Sequence, residues 1–172
     1  NTQIISIKGK ISSILISERT VLNFLQRLSG IATETNKYVS EISGIDCKII
    51  DTRKTTPGLR PLEKYAVRTG GASNHRMNLS DGILIKDNHI EALKAKGLSL
   101  KEGVLIAKSK APHTLKVEVE TETLEQAQEA IDAGADIIML DNMDIPTIQK
   151  AVALINKKAV IEVSGGVNLT TV

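Results

Sequence analysis

Hydrophobic and polar residues form two kinds of pattern along this chain, one typical of strands and one typical of helices. Short apolar runs of about five residues, rich in β-branched side chains, end abruptly in a polar residue, which is typical of strands. They are Cys47–Asp51, Gly82–Lys86, Lys116–Glu120, Ile137–Asp141 and Val160–Ser164. Between these runs, apolar residues recur at helical intervals. This spacing predicts helices over Pro61–Thr69, Asn88–Lys96, Leu100–Lys110, Leu124–Ala133 and Pro146–Asn156.

The segment before the first run predicts a helix of its own. Apolar residues from Val21 to Ala32 form one helical stripe, Ser17 fits the N-cap, and Gly44 fits a stop. Gly30 interrupts the pattern, so close packing, a bend or two helices all agree with it. We expect short strand or loop structure over residues 4–16.

Alternating strands and helices predict parallel βαβ units. The last three strands recur about every 22 residues, which suits a (β/α) barrel, where the chemistry lies at the C-terminal ends of the strands. An open, doubly wound sheet would place a site only at its switch point. Every predicted strand here ends in a polar or charged residue, which favours the barrel.

Composition narrows the possible functions. Of 172 residues, 41% are hydrophobic and 24% charged, which is ordinary globular usage. No apolar run is long enough to span a membrane, and the first residues lack the pattern of a secretory signal. A single cysteine excludes an internal disulfide and fits a reduced, cytoplasmic compartment. Aromatic residues, at 2%, are too few for the stacking surface of a single-strand nucleic-acid binder.

The net charge of +2 conceals an uneven distribution. Seven basic residues but only two acidic ones lie between Arg53 and Lys86, whereas Glu118–Asp144 contains no Lys or Arg. A basic half followed by an acidic half indicates a ligand that needs cationic partners for its anionic groups and carboxylates for a bound metal ion. An anion beside a magnesium-bound sugar phosphate is such a ligand.

Two loops concentrate the basic chemistry. Arg53 and Lys54 follow a strand end within Asp51–Arg60, where an Arg fork and a Lys point charge suit a carboxylate or phosphate. A solvated basic loop is the alternative. His75 and Arg76 follow paired glycines that permit close backbone approach. A structural role for His75 remains equally open.

The later strand ends supply one more cation and the acids. Lys86 ends an apolar strand, where it either meets an anion or extends to solvent. Glu120 and Asp141 end the next two strands and either hold a hard cation or neutralise the basic residues. Ser164, Gly165 and Gly166 offer a hydroxyl and exposed amides to a phosphate, although a plain turn is the alternative.

Eight ordered motifs resemble quinolinate phosphoribosyltransferase, also called carboxylating nicotinate-nucleotide pyrophosphorylase. They span residues 18–23, 28–33, 51–60, 64–76, 84–89, 118–120, 140–142 and 164–166. The most distinctive are Asp-Thr-Arg-Lys-Thr-x-Pro-Gly-Leu-Arg at 51–60 and Leu-Ile-Lys-Asp-Asn-His at 84–89. The resemblance covers the chain from about residue 17 to its end.

This resemblance implies the transfer of a phosphoribosyl group from phosphoribosyl pyrophosphate to quinolinate with loss of CO2, in de novo NAD synthesis. It implies that Arg53, His75, Arg76 and Lys86 bind quinolinate, and that Arg19 reaches the neighbouring subunit's site. Lys54, Glu120 and Asp141 match catalytic positions around the phosphoribosyl group, with Glu120 and Asp141 also near its Mg²⁺. Ser164, Gly165 and Gly166 match the phosphate loop.

The resemblance also implies a seven-stranded, incomplete α/β barrel and a homodimer or higher oligomer, with no nucleic-acid or membrane partner. We expect residues 1–16 to be the remnant of an N-terminal lid domain or linker, and residues 17–172 to be a partial barrel truncated at both ends. Two alternatives remain. One is a related barrel protein of molybdenum metabolism with another substrate, and the other is an inactive barrel fragment.

Overall fold

The N-terminal part of the fold is built on one long helix, α1 (Ile11–Glu41). The computed structural model describes residues 2–172. The predicted start of this helix at Ser17 is wrong, because the helix begins six residues earlier and the Ser17 hydroxyl donates to the Ser13 carbonyl within it. Gly30 does not divide the helix, and a Cβ placed there would meet open space.

The structure forms two compact units. We call residues 2–77 with Val172 the N-terminal unit, and residues 78–171 the C-terminal unit. In the N-terminal unit, α2 (Arg60–Thr69) begins with a proline in its first turn, which suits the fixed φ of that residue. Gly70 follows α2 where it approaches α1. A Cβ at Gly70 would lie 2.5 Å from the Ala32 carbonyl oxygen, so the close contact requires glycine.

The predicted strand at Cys47–Asp51 is not formed in the described residues. Only Ile50 makes a parallel bridge, with Ser73, and this bridge stands apart from the sheet. The Ser73 N–H donates to the Ile49 carbonyl at 2.9 Å, and the Asp51 N–H donates to the Ser73 carbonyl at 3.3 Å. Because both bonds belong to a single residue pair, no ladder extends along the run and no strand forms.

The C-terminal unit confirms the predicted alternation of strands and helices. Its elements are β1 (Ile83–Ile85), α3 (Asp87–Lys94), α4 (Leu100–Lys110), β2 (Val117–Thr121), α5 (Leu124–Asp132), β3 (Ile137–Asp141), α6 (Ile145–Ile155) and β4 (Val160–Ser164). All strands are parallel and lie in the order β1-β2-β3-β4. This is the predicted α/β architecture, and the four described strands form an open sheet rather than a closed barrel.

Apolar side chains on one face of the sheet pack with the helices and form the core. Val117, Val119, Ile138 and Leu140 lie on this face, because Val119 pairs with Ile138 in register, and all four are fully buried. Local residues fix the helix ends. Ser99 and Glu102 form a reciprocal capping box at α4. Among residues 2–172, no helix is both long and apolar enough to cross a membrane.

Candidate functional site

The basic loop of the N-terminal unit is shaped by a tight turn. Pro57 and Gly58 lie in a turn closed by a 3.0 Å hydrogen bond from the Leu59 N–H to the Thr56 carbonyl, and Gly58 has a φ of +77°. A proline followed by a glycine of positive φ is the arrangement of a type II turn. Lys54, which precedes the turn, is exposed.

Arg53 is the most informative residue of this loop. Its Nε is buried and donates to no acceptor within residues 2–172. A buried N–H group without a partner costs about 1–3 kcal/mol, and more when the group is charged. Buried donors in proteins are therefore nearly always paired, and this one is available for an anion.

Arg60 and Lys64, two of the seven clustered cations, are engaged by the fold itself. The Arg60 guanidinium donates to the Thr55 hydroxyl and to the carbonyls of Arg53 and Met77, at 3.0 to 3.3 Å. Lys64 is 1% exposed and forms an ion pair with Asp51. Part of the basic cluster therefore has a structural role, and fewer than seven of its cations are left to meet a ligand.

A second ion pair joins this loop to α1. Glu63 accepts from Arg27 Nε at 3.0 Å and from the Thr56 N–H at 3.1 Å. Burial alone would raise the pKa of Glu63, but the hydrogen bonds from Arg27 and Thr56 outweigh it and hold the pKa below its ordinary value. Glu63 therefore stays ionised and anchors the loop backbone at Thr56.

His75 and Arg76 occupy a segment whose backbone is tightly held. The His75 N–H donates to Asp51 at 2.8 Å, and the His75 carbonyl accepts from Lys64 Nζ at 3.0 Å. The Arg76 N–H donates to His75 Nδ1 at 2.8 Å. Because Nδ1 accepts this bond, the proton of the neutral imidazole lies on Nε2.

In the C-terminal unit, the ends of β1 and β2 bring a cation and an acid together. Lys86 Nζ lies 3.0 Å from Glu120 Oε2. This follows from the register, because Ile85 pairs with Val119 and the next residues along each strand are Lys86 and Glu120. The Lys86 side chain is 41% exposed. Such a pair contributes at most about 1 kcal/mol, so an incoming ligand can separate it at little cost.

The ends of β3 and β4 meet at Asp141 and Ser164, which are paired in register. Asp141 accepts from the Asn142 side-chain amide at 2.7 Å, and the Asn142 N–H donates to the Ser164 carbonyl at 2.9 Å. Gly165 and Gly166 then turn the chain with φ values of +79° and +69°. A Cβ at Gly165 would lie 2.8 Å from the Asn142 backbone nitrogen, so this contact and the positive φ both favour glycine there.

The loop that follows β4, which the sequence predicts to bind a phosphate, presents backbone amides that are unpaired among residues 2–172. In the described part of the chain, neither the Gly165 nor the Gly166 N–H donates a hydrogen bond. Two free amide donors beside a serine hydroxyl, at the C-terminal edge of a parallel sheet, suit an anionic oxygen.

The predicted residues therefore fall into two sets. Arg53, Lys54, His75 and Arg76 belong to the N-terminal unit, and Arg19 lies exposed on its helix α1. Lys86, Glu120, Asp141, Ser164, Gly165 and Gly166 lie at one edge of the sheet in the C-terminal unit. The structure brings together Lys86 with Glu120, Asp141 with Ser164, and His75 with Arg76.

Sequence reasoning missed the polar residues that hold the first set in place. Lys64 and Asn74 lie inside the motif at residues 64–76, but the sequence analysis assigned no role to either residue. The pattern of α2 contained the missing information, because Glu63 and Lys64 fall on the same helical face as Ala66 and Val67. Charged residues on the apolar face of a helix predict buried partners.

Comparison with known proteins places this geometry in one family. The family described as "Quinolinate phosphoribosyl transferase, C-terminal domain" matches residues 31–172, most of the chain. The chain belongs to the quinolinate phosphoribosyl transferase family.

Relatives in this family are substantially similar in sequence. A "Probable nicotinate-nucleotide pyrophosphorylase [carboxylating]" of Synechocystis sp. is 47% identical over 98% of this chain and 57% of its own length. The Bacillus subtilis protein with the same description is 50% identical over 96% of this chain and 56% of its own.

Solved structures of the quinolinate phosphoribosyl transferase family agree with the fold. The crystal structure of NadC from Streptococcus pyogenes superimposes with a TM-score of 0.87 at 51% identity, covering 95% of this chain and 56% of that one. The chain therefore spans a little more than half the length of the relatives it matches.

Proposed function

We propose that the protein transfers the phosphoribosyl group of phosphoribosyl pyrophosphate to quinolinate and releases CO2. The products are nicotinate mononucleotide and pyrophosphate, formed in the cytoplasm as a step of de novo NAD synthesis. Membership of the family supports this reaction, as do the names of the relatives. The observation that carries the proposal for this chain is the buried, unpartnered Nε of Arg53.

Quinolinate carries the negative charge that would pair with the cations of the basic loop around Arg53. It is a pyridine dicarboxylate and a dianion at neutral pH, so each carboxylate needs donors when water is removed. Arg53 supplies a guanidinium with a donor to spare, and a bidentate fork suits a planar carboxylate. His75 and Arg76 follow on a rigid backbone, and Lys86 adds an exposed ammonium from the C-terminal unit.

The acidic strand ends suit the other substrate. Mg²⁺ is commonly held by one or two carboxylates together with substrate phosphates. Glu120 and Asp141 are carboxylates near the C-terminal ends of neighbouring strands, and they lie on the same face of the sheet because Glu120 pairs with Met139, two residues before Asp141. They therefore fit the magnesium complex of phosphoribosyl pyrophosphate, in which the substrate supplies most of the ligands. Ser164, Gly165 and Gly166 would bind a phosphate of that substrate through their free donors.

The chemistry follows from these charges. The pyridine nitrogen of quinolinate attacks the anomeric carbon of the sugar, and the bond to pyrophosphate breaks with its electron pair. Lys54 offsets the charge that develops on the leaving group, and Mg²⁺ held by Glu120 and Asp141 would supply further positive charge there. Glu120 and Asp141 stabilise the cationic character of the sugar in the transition state.

Loss of CO2 follows from the same transfer. The pyridinium nitrogen now carries a positive charge, so the electron pair left by the departing carboxylate is stabilised on the adjacent ring carbon before a proton replaces it. Arg53, His75 and Arg76 keep the ring and its remaining carboxylate in place through this step. Fixed geometry of this kind removes much of the entropic barrier to a reaction.

We further propose that the active form is a homodimer or a larger oligomer. Helix α1 has no buried residue and exposes Val21, Phe24 and Leu25. A helix with this much exposed apolar surface is typical of an interface. Arg19 lies on the same helix, which supports the implied contribution of Arg19 to the site of a neighbouring subunit.

Calorimetric titration of the full-length protein with quinolinate tests the proposed role of Arg53. We expect Arg53→Ala to raise the Kd at least about 30-fold, which corresponds to roughly 2 kcal/mol for one partner of a buried charged contact. Arg68→Ala is the matched control, because Arg68 is exposed at the end of α2 and should leave binding unchanged. Saturation of Arg53→Ala at the quinolinate concentrations that saturate the wild type would refute the role.

A further inference from the structure

A buried polar network surrounds the backbone of His75. Lys64, on α2, is 1% exposed, and its ammonium contacts both Asp51 and the His75 carbonyl. An ammonium held this far from water needs several acceptors to offset its desolvation. The two acceptors it has are a carboxylate and a carbonyl, and the carbonyl belongs to a residue of the proposed binding segment.

Asp51 completes the network from the other side. Its side chain accepts from Lys64, from the Asn74 amide at 2.6 Å and from the His75 N–H at 2.8 Å. Asn74 also donates to the Lys64 carbonyl at 3.0 Å, so the contacts form a closed ring. Both peptide groups that flank the His75 Cα are thereby held, one through its N–H and the other through its C=O.

Stability alone is a poor explanation for this network. A buried ion pair is often no more stabilising than apolar residues of the same size. Its directional hydrogen bonds do, however, select one backbone geometry over others. In this backbone geometry the Arg76 N–H also donates a hydrogen bond to His75 Nδ1, which fixes the orientation of the imidazole.

We propose that Asp51, Lys64 and Asn74 form a clamp that positions His75 and Arg76 for a dicarboxylate substrate. These three are positioning residues, because they act through the His75 backbone. The proposal rests on the proposed function for the identity of the substrate. It goes beyond that function by assigning the affinity for the dicarboxylate partly to residues that do not touch it.

The test combines two measurements on the full-length protein carrying Lys64→Met. Hydrogen exchange reports the order of the His75 and Arg76 amides without any substrate, and we expect at least about tenfold faster exchange there. Titrations then compare quinolinate with magnesium phosphoribosyl pyrophosphate. We expect the Kd for quinolinate to rise at least about tenfold and that for phosphoribosyl pyrophosphate to change less than about twofold. If the network had only a structural role, Lys64→Met would weaken the binding of both substrates to the same extent.

Two further variants separate the clamp from general destabilisation. Lys108→Met removes the ion-paired lysine of another pair, Lys108–Asp136 in the C-terminal unit, and should leave both affinities unchanged. The double variant Asp51→Asn with Lys64→Met removes both buried charges, so it should fold even if the single variant does not. It still lacks the donor to the His75 carbonyl, so its affinity for quinolinate should remain low.

The outcomes are distinct. Wild-type exchange and wild-type quinolinate affinity in the folded double variant would overturn the clamp, as would equal losses for both substrates. A wild-type protein that does not bind quinolinate would overturn the proposed function instead. In that case, hydrogen exchange still tests the clamp. Unchanged exchange rates in Lys64→Met or in the double variant would overturn the clamp as well. Faster exchange confined to residues 75–76 would support only the role of the clamp in holding the backbone.

Discussion

Glu63 is a buried carboxylate whose charge is maintained by its partners. Arg27 and Thr56 donate to it, and these bonds connect α1, the basic loop and α2 within the N-terminal unit. The lowered pKa of Glu63 means that the folded protein holds the ionised form more strongly than the unfolded chain does. Stability therefore depends on pH through this residue.

Replacing Glu63 with Gln should reduce the pH dependence of stability on the acid side. The contribution of Glu63 is complete above its unfolded pKa of about 4.3 and is lost as the pH falls through the lower folded value. At pH 7 we expect Glu63→Gln to lower the free energy of unfolding by about 1 to 3 kcal/mol. Urea denaturation should show this difference shrinking below about pH 4. An equal difference at pH 7 and pH 3 would contradict the assignment.

At the residue scale, the sequence indicated local backbone features better than long-range contacts. Gly165 and Gly166 do turn the chain with positive φ values directly after β4, whereas the role of Ser164, Gly165 and Gly166 as a phosphate loop stays a prediction. Asp51 was placed at a strand end, but its partners Lys64 and Asn74 could not be assigned, because ion pairing across 13 residues depends on the tertiary fold. Sequence pattern alone does not report such distant pairings.

At the scale of elements, α1 and α2 pack through a glycine contact. A Cβ at Gly70 would lie 2.5 Å from the Ala32 carbonyl oxygen and 2.7 Å from Thr35 Cβ, both on α1. Neither backbone oxygen nor a β-branched Cβ can move without shifting the helix. Gly30, in the same helix, has open space around it.

Alanine at these two glycines should therefore have opposite effects on stability. Gly70→Ala should destabilise the protein by about 1 to 3 kcal/mol, because overpacking forces the helices apart. Gly30→Ala should stabilise it by about 1 kcal/mol through helix propensity. Urea denaturation measures both changes. A neutral Gly70→Ala would show that this contact is looser than the structure indicates.

Element boundaries could be predicted best where the chain has regular periodicity and clear end signals. The bounds of β3, β4 and α4 agree with the predictions residue for residue, and α4 begins at a capping box. The start of α1 was wrong because Lys10 provides no side-chain cap and apolar residues continue through the first turns. The strand at Cys47–Asp51 was wrong because an apolar run forms a strand only beside a suitable partner.

At the scale of the whole molecule, the uneven charge of the sequence is distributed over two compact units. The N-terminal unit contains most of the cations proposed for the dicarboxylate, and the C-terminal unit contains the acids and the phosphate loop proposed for the sugar phosphate. Alternation of strands and helices predicted the parallel sheet. The division of residues 17–172 from residues 1–16 stays a prediction, as do the oligomer and the magnesium requirement.

Subunit mixing tests the proposed role of Arg19 across an interface. Arg19→Ala and Lys54→Ala should each inactivate a homo-oligomer. In an equal mixture of dimers that exchange subunits, half are heterodimers with one intact site each, so activity should recover to about one quarter of the wild type. No recovery, although native mass spectrometry shows mixed dimers, would mean that Arg19 acts within its own subunit.

The most direct test of the proposed reaction is turnover by the full-length protein. Quinolinate, phosphoribosyl pyrophosphate and Mg²⁺ should yield nicotinate mononucleotide, CO2 and pyrophosphate in equal amounts. The Lys54→Ala variant should remain folded but form all three products far more slowly than the wild type. Equal release of CO2 and pyrophosphate that depends on both substrates is the predicted result. A folded, oligomeric wild-type protein that produces neither CO2 nor pyrophosphate would contradict the account.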